Sequence, residues 1–213
     1  MAATTPTAPS HESQHRVEHL DTLKQELDAC RACPLWKPAT QGVPGEGGAR
    51  ARLMFVGEQP GDEEDIAGRP FVGPAGRLFD TALEEAGIAR REAYITNAVK
   101  HFKFTRTAKK RLHKRPSARE IDICRWWLDE ERRLVRPRLV VALGATAARS
   151  LLGRPATISK LRGQPLDLGD GGTGFVTIHP SYLLRIPGRD DRHRERRRFV
   201  AELKKAGELA KLG

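Results

Sequence analysis

Four short apolar runs punctuate this chain, at residues 53–56, 94–96, 139–143 and 175–178, and each runs into polar or turn-forming residues, the pattern of buried strands. Between the first three, apolar positions recur at helical spacing over 75–86, entered through Pro74, and over 118–135, where Ser117 can cap the first turn. Helical stretches also follow the third strand at 145–152 and precede the first at 19–29, the latter with Leu20, Leu23 and Leu27 on one face. Phe199, Leu203 and Leu209 predict a last helix packed on the sheet. Strands alternating with helices predict an α/β fold: a three-layer αβα architecture with a central, mainly parallel four-stranded sheet covered on both faces.

The polar turns follow the strands directly. They are Gly57-Glu58-Gln59-Pro60-Gly61-Asp62, then Asn97, then Gly144-Ala145-Thr146, then His179-Pro180-Ser181. Ligands in open α/β sheets bind beyond the carboxyl ends of the strands, so these four turns should line one cleft. The glycine string at 169–174 has dinucleotide-loop spacing, but it precedes a strand instead of opening a helix, which makes it a hairpin turn.

Charge then narrows the partner. The 213-residue chain carries 38 Lys and Arg against 27 Asp and Glu, a formal +11, which favours a phosphate backbone. Residues 100–115 hold eight of these cations and no acid, with Phe102 and Phe104 interleaved. Within that run, Lys109-Lys110-Arg111-Leu112-His113-Lys114 presents one imidazole among cations, a nucleic-acid signature with a reactive residue inside it. A second patch, 185–198, has seven arginines against Asp190, Asp191 and Glu195, and either extends a DNA track or is a solvated helix face.

Residues 1–15, rich in Thr, Pro, Ala and Ser, read as a disordered leader before a single domain over 16–213. Inside the leader, His11-Glu12-Ser13-Gln14-His15 matches the zinc-protease string by chance, since that chemistry needs a buried helix. No run approaches the ~18 apolar residues of a membrane span and no signal peptide is evident, so a cytoplasmic location is expected; a monomer is expected as well.

Three cysteines are too few for a disulfide framework, and Cys30-Arg31-Ala32-Cys33 in a cytosolic chain points to metal or redox chemistry. A redox dithiol would sit between a strand and a helix, whereas this pair precedes the first strand, so metal is preferred. An iron-sulfur cluster ordinarily takes four thiolates, and only Cys124 remains to join the pair. The residues alone leave open a buried Cys124, an exposed pair, and His101 as part of the basic run.

Gly57-Glu58-Gln59-Pro60-Gly61, Asn97-Ala98-Val99-Lys100 and His179-Pro180-Ser181 resemble the three motifs of the uracil-DNA glycosylase superfamily, in its iron-sulfur branch. The likeness runs from about Cys30 to the last helix. Gln59 and the basic loop ending in Leu112-His113 are similar to the UdgX group, whose members become covalently attached to uracil-DNA; the group usually has Ile where Leu112 stands. The resemblance implies a 4Fe-4S cluster held by Cys30, Cys33, His101 and Cys124, with His101 at the position where related glycosylases carry a cysteine.

It also implies the chemistry. Asn97 reads the uracil edge through its amide, Phe71 stacks on the flipped base, and Gln59 and Asp62 assist in binding it. His179 stabilises the departing base at O2. His113 attacks the sugar C1′ while Glu58 accepts its other ring N–H, which leaves the protein bonded to the abasic sugar. Lys109, Lys110, Arg111 and Ser181 hold DNA, and Leu183 or Leu184 fills the gap left by the base. Two alternatives stand beside this reading: a multiple-turnover glycosylase that uses water, and a non-enzymatic iron-sulfur nucleic-acid binder.

Overall fold

The computed structural model describes residues 19–212; the expected leader and its histidine string lie outside them. In chain order the elements are α1 (Leu20–Asp28), β1 (Leu53–Gly57), α2 (Asp62–Ala67), α3 (Pro74–Glu85), β2 (Ala93–Asn97), β3 (Phe104–Arg106), β4 (Arg111–His113), α4 (Ala118–Val135), β5 (Leu139–Leu143), α5 (Ala145–Leu152), α6 (Ile158–Leu161), β6 (Pro165–Asp167), β7 (Thr173–Thr177), α7 (Pro180–Arg185) and α8 (Arg189–Leu212).

The central sheet has the order β2-β1-β5-β7-β6, with the first four strands parallel. It is five-stranded, not four-stranded as the sequence suggested. The extra strand, β6, is an antiparallel edge whose single apolar residue sits beside Pro165, so it carries no buried-strand signature. Between β6 and β7 lie Gly169 and Gly171, both at φ +82°, in keeping with a hairpin turn at the glycine string.

Successive side chains of a strand point to opposite faces, and the core divides accordingly. Phe55, Ile95, Val141 and Phe175 face Phe79 and Leu83 of α3 and Phe199 and Leu203 of α8. Met54, Val56, Val140 and Val176 face Leu128 and Val135 of α4 and Ala147, Ala148 and Leu151 of α5. Each large side chain buried there contributes roughly 1.5–3 kcal/mol, which fixes the sheet and therefore the loops at its carboxyl end. The cap of α4 is as expected: Ser117 Oγ accepts from the Glu120 N–H and the Glu120 carboxylate accepts from the Ser117 N–H, a reciprocal pair.

The basic run folds as an antiparallel hairpin, β3–β4, with Phe104 opposite His113. Three-residue strands rich in cations lack the alternation that marks a strand, which is why the sequence showed only a loop there. Among the described residues no helix is long and apolar enough to cross a membrane.

Candidate active site

The carboxyl ends of β1, β2, β5 and β7 open into a cleft of about 1300 Å³, and all four polar turns reach it through Glu58, Gln59, Asp62, Asn97, Gly144 and His179. Asn97, buried at the end of β2, and Phe71, at φ +55°, line its floor on either side of Gly57. A Cβ on Gly57 would collide with Asn97 Oδ1 and come within 2.6 Å of the Phe71 ring. Gly57→Ala is therefore expected to displace both side chains from the cleft wall.

His179 caps α7. Its Nδ1 accepts the Ser181 N–H at 3.2 Å and lies 2.8 Å from Ser181 Oγ. An accepting Nδ1 leaves the proton on Nε2, so the ring is a fixed donor. Burial first, then Arg185 and His113, push its basicity down to about 4, so it is neutral near pH 7. Phe71 lies beside it at 5.8 Å between ring centroids and also packs on Phe79, so this aromatic is at once cleft wall and core. Ser181, expected on DNA, is engaged with His179.

His113 ends β4 half-exposed. Its Nε2 lies 2.9 Å from Gln59 Nε2 and 3.5 Å from Glu58 Oε1. The orientation of Gln59 follows from the backbone: Oε1 accepts the Lys103 N–H at 3.1 Å, while Nε2 donates to Lys103 O and Lys114 O. Gln59 Nε2 can only donate, so its contact with His113 Nε2 is a shared, three-centre one in which the ring nitrogen accepts, and the ring proton belongs on Nδ1. This differs from the sequence expectation in two ways. Gln59 is bound to the hairpin, and Glu58 approaches the nitrogen that carries the lone pair, not the opposite N–H. Burial, Arg185 and Arg115 lower the basicity of His113 against the opposing pull of Glu58, which keeps it neutral. The other Glu58 oxygen accepts from Thr146 Oγ1 at 2.6 Å.

The cations of the hairpin divide into two sets. Arg111 is turned inward: it bonds Asp62 and, at 2.5 Å, Asp65, and its guanidinium stacks over Phe102 and Phe104 at 5.4 and 5.0 Å. Arg111 and Asp62 therefore bolt β4 to α2, where the sequence suggested a phosphate contact and a base contact. Lys103 pairs with Glu120, and Lys100 is wholly buried. Arg106, Lys109, Lys110 and Lys114 stay exposed and make no ion pair among the described residues, with Lys110 on the cleft edge.

Lys100 was read as part of the basic run, and the structure corrects this. Its Nζ donates to Glu131 Oε2 at 2.6 Å, to Thr96 Oγ1 at 2.7 Å and to the backbone oxygen of Asn97 at 2.8 Å. Glu131 also accepts from Thr96 Oγ1 and from the Gly45 N–H, both at 2.7 Å. The pair thus anchors the strand end that carries Asn97. Phe102, likewise interleaved among cations, is buried.

Cys30, Cys33 and Cys124 gather in one apolar cluster with Leu23, Leu27, Ile121 and Trp127. Trp127 Nε1 donates to Cys30 Sγ at 3.4 Å, and the Lys100 N–H donates to Cys124 Sγ at 3.3 Å. Burial pushes the Cys124 thiol up to about 12 and raises Cys33, and each also feels the neighbouring cysteines. His101 is buried, with its basicity lowered by desolvation to about 4, so its ring is a neutral potential donor. It borders a separate cavity of about 240 Å³ with Asp28, Arg31 and Trp36. Among the described residues no three His, Cys, Asp or Glu are spaced to hold a metal ion. The donor chemistry suits a thiolate-ligated cluster, while the spacing is not closed around one point.

Neither Arg115 nor Thr146 was singled out from the sequence as a site residue, and Arg185 was read only as part of the arginine patch; Arg115 and Thr146 approach Glu58, while Arg185 lines the cleft and acts on both histidines through its charge. No local pattern announces such contacts, because they join segments far apart in the chain. The family model described as the uracil DNA glycosylase superfamily matches residues 44–204. A protein of Thermotoga maritima named type-4 uracil-DNA glycosylase is 40% identical over 188 residues, spanning 88% of this chain and 92% of its own. An Archaeoglobus fulgidus protein of the same name is 33% identical over 200 residues, covering 91% and 94%. A type-5 uracil-DNA glycosylase of Pyrobaculum aerophilum is 32% identical over 190 residues, covering 82% and 80%.

Proposed function

This chain belongs to the uracil-DNA glycosylase superfamily, and from that premise we propose that it excises uracil from DNA and is then captured by the abasic sugar through His113. The observation that carries the second half is the neutral imidazole at the cleft mouth, its lone pair 2.9 Å from the Gln59 amide and beside the Glu58 carboxylate.

Extruding uracil from a duplex costs roughly a few kcal/mol. Leu183 is buried, whereas Leu184 on the same helix is 50% exposed, so Leu184 is the wedge of the two. Leu184→Ala should slow excision from duplex DNA by about tenfold while sparing single-stranded substrate, a ratio readable from parallel time courses. Phe71 stacks on the base, and the Asn97 amide matches O4 and N3–H of uracil while opposing the amino group of cytosine. Lys109 and Lys110 contact the flanking phosphates.

As the bond from C1′ to N1 breaks, its electron pair leaves with uracil, and the Nε2–H of His179 stabilises the charge that develops on O2. The sugar is left electron-poor. His113 Nε2 then supplies its lone pair to C1′. Releasing it from Gln59 orphans nothing, since the two amide protons retain Lys103 O and Lys114 O as acceptors. The ring keeps its Nδ1 proton, and Glu58 faces the resulting imidazolium.

Neutral His113 is the reactive form, and its basicity is lowered, so capture should fall on acidification with the midpoint of the acid limb below the ordinary histidine value of 6.5. Arg185 opposes protonation of both histidines. Arg185→Ala should therefore move the acid limb of the rate profile to higher pH.

Although their spacing is not closed around one point, Cys30, Cys33, His101 and Cys124 are the donors that would hold an iron-sulfur cluster, which would tie the segment after α1 to the base of the hairpin and to α4. Aerobically purified protein should contain iron and labile sulfide in equal amount, and a Cys124→Ala variant neither.

The names of the relatives support a second reading, a multiple-turnover glycosylase in which water reaches C1′ first. Incubation with single-stranded uracil-DNA separates the two on a denaturing gel. A slow-migrating band that contains both protein and DNA supports capture; abasic product in molar excess over protein supports turnover.

A further inference from the structure

Glu58 can stand against the imidazolium only if its carboxylate is held toward the hairpin, and the structure offers one strong contact that does this. Thr146 Oγ1 donates to Glu58 Oε2 at 2.6 Å, which leaves Oε1 as the oxygen 3.5 Å from His113 Nε2. The competing partner, Arg115, lies 3.8 Å from Oε2 with its own side chain 76% exposed, a separation and exposure at which an ion pair is weak.

Thr146 is buried in the first turn of α5, and the following Ala147, Ala148 and Leu151 pack into the sheet core. Its hydroxyl therefore has a fixed origin. A helical threonine commonly bonds back to the preceding turn, but this hydroxyl has one proton and it is directed across the cleft. The turn before it admits α5 close to the site because Gly144 adopts φ +91°, and a Cβ there would meet His179 at 3.1 Å.

We propose that Thr146 is a positioning residue that aims Glu58 at His113 and so decides whether the sugar is captured by imidazole or by water. The proposal rests on the capture reading above. Without the hydroxyl, Oε2 loses its anchor, the carboxylate is free to rotate toward Arg115 and solvent, and the cation on the sugar survives long enough to meet water.

Thr146→Val and Thr146→Ser test this on single-stranded uracil-DNA, scored by the rate of adduct formation and by the ratio of adduct to free abasic product. The valine variant is expected to form adduct at least about tenfold more slowly, on the scale of a hydrogen bond to a charged group, and to shift the ratio toward free product. Serine should restore both. A purely structural role would slow excision and capture together and leave the ratio unmoved. Valine behaving as wild type, or serine failing alongside valine, would overturn the proposal. A double variant, Thr146→Val with Glu58→Gln, guards against a folding defect: its ratio should match that of Glu58→Gln alone, and additive losses would also overturn it. Wild-type protein that releases only free abasic product would instead sink the capture reading, and this role with it.

Discussion

His113→Ala is expected to leave no denaturation-resistant protein–DNA band at all, while uracil is still removed and abasic product accumulates over repeated turnovers. The expectation follows from what surrounds the ring. Asn97, Phe71 and His179 line the cleft independently of the hairpin, so base recognition and departure survive the change. The methyl of alanine vacates the space beside Glu58, and water then has access to C1′, with Glu58 beside it as a general base. A gel time course with substrate in excess reads both halves: loss of the adduct is complete, and product exceeds enzyme. If the variant formed the same adduct as wild type, the nucleophile would have to be another residue.

The second large effect is on stability. Lys100 and Glu131 are both wholly buried and 2.6 Å apart. Two charges withdrawn from water are tolerable together because each satisfies the other, and here Thr96, Gly45 and the Asn97 carbonyl complete the shell. Removing one partner leaves the other charge without compensation. Lys100→Met should therefore lower unfolding free energy by about 3–5 kcal/mol, and pairing it with Glu131→Leu should restore much of that loss. Urea unfolding midpoints at unchanged slope check both. Near-additive losses in the double variant would mean that the two residues act separately. Because Lys100 also holds the backbone of Asn97, the single variant should lose discrimination against cytosine before it unfolds.

What the sequence disclosed and what it hid divide along physical lines. The strands 139–143 and helices 118–135 and 145–152 coincide with β5, α4 and α5, because their boundaries are set by local signals: a continuous apolar run, a serine cap and a glycine. The convergence of four turns on one cleft followed from parallel-sheet topology. The edge strand β6 and the hairpin escaped because short, polar or proline-bearing strands have no periodicity to read.

Among site residues, those fixed by motif position, Asn97, Glu58, His113 and His179, line the cleft. Cations of the basic run divided differently. Arg111, read as a phosphate ligand, and Lys100, counted in the run although it also closes the Asn97 motif, each meet a carboxylate brought from a distant element, Asp65 from α2 and Glu131 from α4. Nothing in a linear sequence marks which cation of a cluster will find such a partner. Thr146 was hidden for the same reason: its contact with Glu58 spans 88 positions.

The proposed capture of the sugar by His113 is tested most directly by digesting the product of wild-type protein and a uracil oligonucleotide and locating the modified peptide by mass spectrometry. Deoxyribose joined to the peptide that contains His113, with uracil released in equal amount, is the expected result. Unmodified His113 peptide, together with free abasic DNA in excess over protein, would contradict it.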